Sequence, residues 1–211
     1  MTRLVLASAS PARREVLRSA GIDPVVRVSD VDEDAVAAAL PPGTAPEVVV
    51  VELARAKAHS VAATIPDFAT DCVVVGCDSM LLVDGELQGK PHTPEVARSR
   101  WAEIAGRSAD LITGHCVLRL QDGDVVAEAV DCSSTTVHFA KPEPEELDAY
   151  IATGEPLQVA GAFTLDGMGG WFVDRIDGDP SSVIGIGLPL LRRLLGDVGV
   201  GIAQLWSHSA R

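Results

Sequence analysis

Two adjacent arginines stand where a helix should repel them. The run Leu4-Val-Leu-Ala7 breaks at Ser8, and Ser10 followed by Pro11 reads as a helix start. The hydroxyl caps the first turn, and the missing proline N–H costs nothing there. Arg13 and Arg14 then fall in the first turn, against the positive end of the helix dipole. An anion held between them and the free backbone N–H groups would account for that placement, and this is the layout of a phosphate site.

Asp78 follows the unbroken apolar run Cys72-Val-Val-Val-Gly-Cys77. A carboxylate at the carboxyl end of such a strand is available to a metal or a water, although an aspartate there also caps turns. Asp32 and Glu33 are hard oxygen ligands of the kind Mg²⁺ or Mn²⁺ takes, and with Asp34 they read equally as a solvated helix start. Lys57, four residues after Leu53 and four before Val61, lies on an apolar helix stripe. It either snorkels to solvent, the commoner outcome, or reaches into a cleft. Gly89-Lys90-Pro91 could offer a phosphate contact, and Asp166, before Gly167, could read the hydrogen-bonding edge of a base or simply form a turn. Trp171 and Phe172 read as core or dimer interface rather than as base-stacking residues. His59, His92, His115, His138 and His208 have no metal-ligand spacing.

The elements that must position these groups follow from periodicity and punctuation. Residues 4–7 and 24–28 read as strands flanking a helix stopped at Gly21. Residues 47–65 read as a helix, and 72–77 as a central strand covered on both faces, with Asp78 at its end. Asp84-Gly85 is a hairpin turn. Thr93 caps a helix to 105, and Asp122-Gly123 joins two long strands over 111–120 and 125–139. Helices follow over 143–153 and from Leu188, with a Gly-rich strand pair expected over 163–176. The class is α/β with a mixed sheet and inserted hairpins.

A chain of 211 residues suffices for one large α/β domain or two closely joined lobes. Its net charge of −13 argues against nucleic acid or an anionic membrane as partner, since both need a positive surface. A polyphosphate in a locally basic cleft remains compatible with that charge. The four cysteines lack C-x-x-C spacing and read as reduced core thiols. With no leader-like h-region and no run of transmembrane length, the chain reads as cytoplasmic.

Ser8-Ala-Ser-Pro-Ala-Arg-Arg14, Asp32-Glu33, Ala54-Arg-Ala-Lys57-Ala58, Gly76-Cys-Asp78-Ser79 and Gly89-Lys90-Pro91 together resemble the Maf family of nucleoside triphosphate pyrophosphatases. Tyr150, Gly154-Glu155, Ala160-Gly-Ala-Phe163, Asp177-Gly-Asp179 and a Gly-Leu-Pro ending at Pro189 continue the match over nearly the whole chain. The resemblance implies a single Maf-like domain over 1–211, made of two closely joined lobes with a cleft between them. It further implies a mixed-sheet fold related to the inosine triphosphatase type, and a homodimer. The implied reaction is hydrolysis of a nucleoside triphosphate to the monophosphate and pyrophosphate with a divalent cation (Mg, Mn or Co), in a role such as clearing non-canonical nucleotides. The matched Asp78 would accept the proton of the attacking water and touch the metal, and Glu33 would help hold it. Ser8, Arg13, Arg14, Lys57 and Lys90 would bind the phosphates.

Two positions depart from the family pattern. Members acting on UTP and dTTP carry Gln where this chain has Asp166, and members acting on 7-methyl-GTP carry an acidic residue there. The segment Val173-Asp-Arg-Ile-Asp-Gly178 is nonetheless closer to the pyrimidine type, and Val183-Ile-Gly-Ile-Gly-Leu-Pro189 is longer than the usual ending.

Two other functions suit parts of this pattern. A nucleotidyltransferase would bind the same triphosphate, but its opening loop is usually Gly-rich, and Ser8–Arg14 has no glycine. A nucleotide-binding regulator of cell division is the second, and no interaction motif supports it.

Overall fold

The computed structural model describes residues 2–65 and 71–206, so His208 lies outside the described residues. The chain runs β1 (Arg3–Ala7), α1 (Pro11–Ser19), β2 (Val25–Arg27), α2 (Glu33–Ala39), α3 (Pro46–Ala62), β3 (Asp71–Val83) and β4 (Glu86–Gln88). It continues through α4 (Pro94–Ile104), β5 (Ser108–Gln121), β6 (Asp124–Phe139), α5 (Pro144–Ala152), β7 (Val173–Asp177), α6 (Pro180–Ile184) and α7 (Leu188–Asp197). The strands form one mixed sheet in the order β2-β1-β3-β5-β6-β7, with β4 also on β3. The pairs β1–β2 and β1–β3 are parallel and the other pairs antiparallel. The α/β class with a mixed sheet is the one expected from the pattern. Among the described residues no helix is long and apolar enough to cross a membrane.

Alternation explains the continuous apolar runs. Leu4, Leu6, Val73 and Val75 face a core closed by Leu17 of α1 and Leu191, Leu194 and Leu195 of α7. Val5, Ala7, Cys72 and Val74 face the other way, onto Ala54, Ala58 and Val61 of α3. Both faces are dry, so neither can alternate with polar residues. At the far end of the long strands a third cluster gathers Leu81, Leu111, Val137 and Phe139 around Trp101, Tyr150 and Phe163. Trp101 is fully buried, meets Phe139 and Phe172 edge-on, and donates its Nε1–H to the Ala162 carbonyl at 2.8 Å.

Between these cores a polar belt crosses the sheet. Asp78 and Ser79 of β3 lie opposite Gly114 and Thr113 of β5, and Thr113 lies opposite Ser133 of β6. Here the structure corrects the sequence reading, because Asp78 is not at a strand end. The strand β3 runs on to Val83 because β5 pairs with it along nearly its whole length. The break lies on its other edge instead. Parallel pairing with β1 stops at Gly76 and antiparallel pairing with β4 begins at Leu81, leaving residues 77–80 without a strand neighbour on that side. This is a switch point, formed by a change of strand direction along one edge.

The segment 163–176 also differs from its expectation. It is not a strand pair: a 3₁₀ turn over Met168–Phe172 leads into the single strand β7. Close backbone packing leaves no room for side chains at Gly169 and Gly170, and that favours a tight turn over a ladder. Phe172 packs in the distal core, as read, but Trp171 is 85% exposed. Three of the four thiols are buried; Cys132 is half-buried and all four are free.

Candidate active site

Asp78 points toward α3 in the gap between β1 and β4, and it is 5% exposed. Its Oδ1 accepts a hydrogen bond from Lys57 Nζ at 2.6 Å. The same ammonium lies 2.9 Å from Glu33 Oε1, so two carboxylates converge on one cation. Lys57 therefore does not snorkel: it is 7% exposed and reaches into the site. What brings it there is glycine. A Cβ on Gly76 would run into the Ala54 carbonyl, and one on Gly114 into the Val50 carbonyl, so α3 lies directly on the backbones of β3 and β5.

Burial raises the Asp78 pKa above the usual carboxylate range, against the pull of Lys57 and Arg13. Its Oδ2 is buried with no hydrogen-bond partner. An acceptor left open in so dry a place is ready for a proton, a water or a cation.

Arg13 enters the same gap from the β1 side. Its guanidinium donates to the Gly185 carbonyl at 2.7 Å, the Cys77 carbonyl at 2.8 Å, and the Ser8 and Ser79 hydroxyls at 3.1 Å each. All four acceptors are neutral, so the charge has no bonded carboxylate. Ser8, itself buried, also accepts from the Ser10 amide at 3.1 Å. Ser10 caps α1 as its sequence suggested, accepting from the Arg13 amide. Asp32 caps α2 by accepting from Ala35, so the helix-start reading holds for Asp32 while Glu33 turns to Lys57.

Arg14 and Lys90 are exposed and touch none of these groups. Lys90 comes two residues after Gln88, which pairs with Leu81, and the same register continued would set it opposite Ser79. The Gly89 carbonyl before it is fixed by Arg100 and by the Gly161 amide. Asp166 is exposed and stands on a separate hollow of about 360 Å³, lined by Ala12, Val16, Ile184 and Leu188 with Glu15, Ser19 and Ser181. Ala12 and Ile184 precede Arg13 and Gly185, the two residues of the guanidinium–carbonyl contact, so the hollow begins beside the gap.

Several participants were missed by sequence reasoning. Ser79 bonds Thr113 Oγ1 at 3.0 Å, and Thr113 donates to the Ser182 carbonyl at 3.1 Å. His115, fully buried, accepts from the Gly187 amide at 2.9 Å through Nε2. Burial, with Arg13 nearby, pushes its pKa down to about 4, so it is neutral and free to accept. Arg13 and His115 thus pin the 185–187 loop from opposite ends. Nothing local marks these residues, because strand register alone places them.

Among the described residues no group of three or more Asp, Glu, His or Cys could by itself hold a metal. The donor set nevertheless suits a hard divalent cation of the Mg²⁺ type. Asp78 Oδ2 is an oxygen without a hydrogen-bond partner and Glu33 meets Asp78 at the same Lys57 ammonium, while such ions draw remaining ligands from water and substrate phosphates.

Residues 3–198 match the family model described as Maf-like protein. The chain is 86% identical over 208 residues to a protein of Nocardia farcinica named nucleoside triphosphate pyrophosphatase, covering 99% of this chain and 98% of that one. It is 68% identical over 212 residues to a protein of the same name from Rhodococcus jostii, covering 100% and 99%. A third of that name, from Mycolicibacterium gilvum, is 58% identical over 209 residues, covering 99% and 100%.

Proposed function

The chain belongs to the family of Maf-like proteins, and from that premise we propose that it hydrolyses nucleoside triphosphates to the monophosphate and pyrophosphate. The observation that carries the reading is the buried carboxylate of Asp78, half filled by Lys57 and half open, beside the uncompensated guanidinium of Arg13.

In the proposed step a water oxygen attacks phosphorus at the α–β anhydride, its proton passes to Asp78 Oδ2, and the bridging P–O bond breaks. Burial of Asp78 favours the protonated product of that transfer, which is what a general base requires. Lys57 and Arg13 neutralise charge spread over the phosphoryl oxygens, the main need in such a reaction. Ser8 orients Arg13 from below.

Formal charges of Asp78, Glu33, Lys57 and Arg13 cancel, so a triphosphate requires further cations. Arg14 and Lys90, both exposed, would supply two of them. A divalent cation held by Asp78 and Glu33 would supply the rest, shielding phosphate charge and acidifying a bound water. The hollow at Asp166 would take the base. A carboxylate only accepts, so it favours guanine, which offers two adjacent N–H donors, over uracil, whose single N–H sits between carbonyls that it repels. The charge of −13 argues against nucleic acid or an anionic membrane as a further partner, and says nothing against a second copy of the chain.

The deciding experiment is Asp78→Asn, assayed for pyrophosphate release over a panel of triphosphates with Mg²⁺, Mn²⁺ or Co²⁺. Turnover should fall about 100-fold or more while the circular dichroism spectrum stays that of the folded protein, since Glu33 still pairs with the Lys57 ammonium. A rate equal to that of the unaltered protein removes Asp78 from the role.

A further inference from the structure

Glu155 is an acidic side chain with no cationic partner among the described residues, and apart from the Tyr150 hydroxyl of α5 its hydrogen bonds go to one loop. It begins the short 3₁₀ turn Glu155–Gln158, after Gly154 ends α5 in the left-handed region at φ 78°. Its Oε1 accepts from the Thr164 hydroxyl and from the Gly169 amide, the latter at 3.1 Å. Burial pushes its pKa upward, but the bonds from the Thr164 hydroxyl, the Gly169 and Met168 amides and the Tyr150 hydroxyl outweigh this and hold it below the usual glutamate value. No Lys, Arg or His among the described residues pairs with it.

Both ends of the segment Thr164–Gly169 are therefore tied to one carboxylate, and Asp166 rides at the crest between them. The loop is closed further by Gly170 N–H to the Gly167 carbonyl at 3.2 Å. Its glycines are filled spaces: a Cβ at Gly167 would come within 2.8 Å of the Glu155 carboxylate, and one at Gly169 within 2.6 Å of Thr164 backbone. Asp166 lines the hollow together with Ala12 and Val16 of α1.

We propose that Glu155 is a positioning residue for base selection, holding the 164–169 loop so that the Asp166 carboxylate is presented to the base at a fixed height above α1. This rests on the reading of the Asp166 hollow as the base site. A glutamate suits the task because every donor it faces is an N–H or O–H. The amide of a glutamine would turn one acceptor into a donor and set it against them. Fixing the acceptor lets the site reject a base that lacks the matching N–H groups, since the misfit cannot relax.

The test compares Glu155→Gln, Glu155→Ala, Thr164→Val and Asp166→Ala for kcat and KM on GTP, ATP, CTP and UTP, with melting temperatures recorded. For Glu155→Gln, kcat at saturation should stay within about threefold, while KM for the preferred nucleotide rises about tenfold and the preference flattens to that of Asp166→Ala. Thr164→Val, which spares the carboxylate, should give the same pattern more weakly and serves if the Glu155 variants do not fold. Adding Glu155→Ala to Asp166→Ala should cost no further discrimination. If Asp166→Ala flattens the preference while the Glu155 and Thr164 variants keep it, the positioning role is overturned and the base site stands. If Asp166→Ala itself keeps the preference, the base site is wrong and the inference falls with it.

Discussion

Lys57 and Asp78 form a buried ion pair that, in the proposed reaction, serves chemistry more than stability. Desolvating both groups offsets much of their attraction, whereas removing one partner strands the other. Lys57→Met should cost about 3 kcal/mol in urea denaturation at pH 8. The loss should shrink at pH 5, because a stranded Asp78 whose pKa is already raised can take up a proton; an equal loss at both values would mean that Asp78 carries no charge in the native protein. Activity should fall by at least about 100-fold at either pH. His115 makes the opposite contribution. Its pKa is about 6.5 unfolded and about 4 folded, so between those values the unfolded chain binds the extra proton. Stability is full above about 6.5 and falls as pH drops toward 4, with about 1 kcal/mol lost by pH 5.5. His115→Gln, which can still accept from Gly187, should remove that slope while other carboxylates keep theirs. A denaturation midpoint with the same pH dependence in both proteins would show that His115 is not the group responsible.

At the scale of elements, the proposed function depends on how close α3 can come to the sheet. Gly76 and Gly114 provide that closeness, and neither has an unusual φ, so their requirement is purely for space. Gly114→Ala should push α3 outward, costing about 1–3 kcal/mol and drawing Lys57 Nζ away from its 2.6 Å contact with Asp78. Lower kcat together with a lower urea midpoint is the expected result. Unchanged rates would mean that the helix repacks without moving Lys57. Local signals gave these elements away well: Ser10-Pro11, Thr93-Pro94, Asp84-Gly85 and Asp122-Gly123 all mark boundaries that exist. The aspartates of the two hairpin turns adopt φ of 49° and 51°, as tight turns demand. The Gly-rich segment after Phe163 was misread because glycine clusters signal any tight backbone, and only its neighbours decide which.

Across the whole molecule, three long strands thread two cores at one end of the sheet and a third at the other, with the polar belt between. A belt of Asp78, Ser79, Thr113 and Ser133 holds few apolar contacts, so coupling between the ends is carried mainly by strand hydrogen bonds. Trp101→Ala should cost about 3–5 kcal/mol, and hydrogen exchange should show α4 and α5 losing more protection than β1 and α7. Equal loss everywhere would mean that the three clusters unfold as one unit.

The sequence alone determined the α/β class, most element boundaries, and a set of cations and carboxylates suited to a polyphosphate. These follow from periodicity, caps and turn residues, which act over a few positions of chain. Tertiary structure decided that Lys57 turns inward, that Glu33 joins Asp78 through it, and that Arg13 braces the 185–187 loop. It also placed Asp78 in mid-strand, within a gap that exists only because β1 and β4 share one edge of β3 in opposite directions. Such relations depend on register and packing between segments far apart in the chain, and no local pattern of residues encodes them.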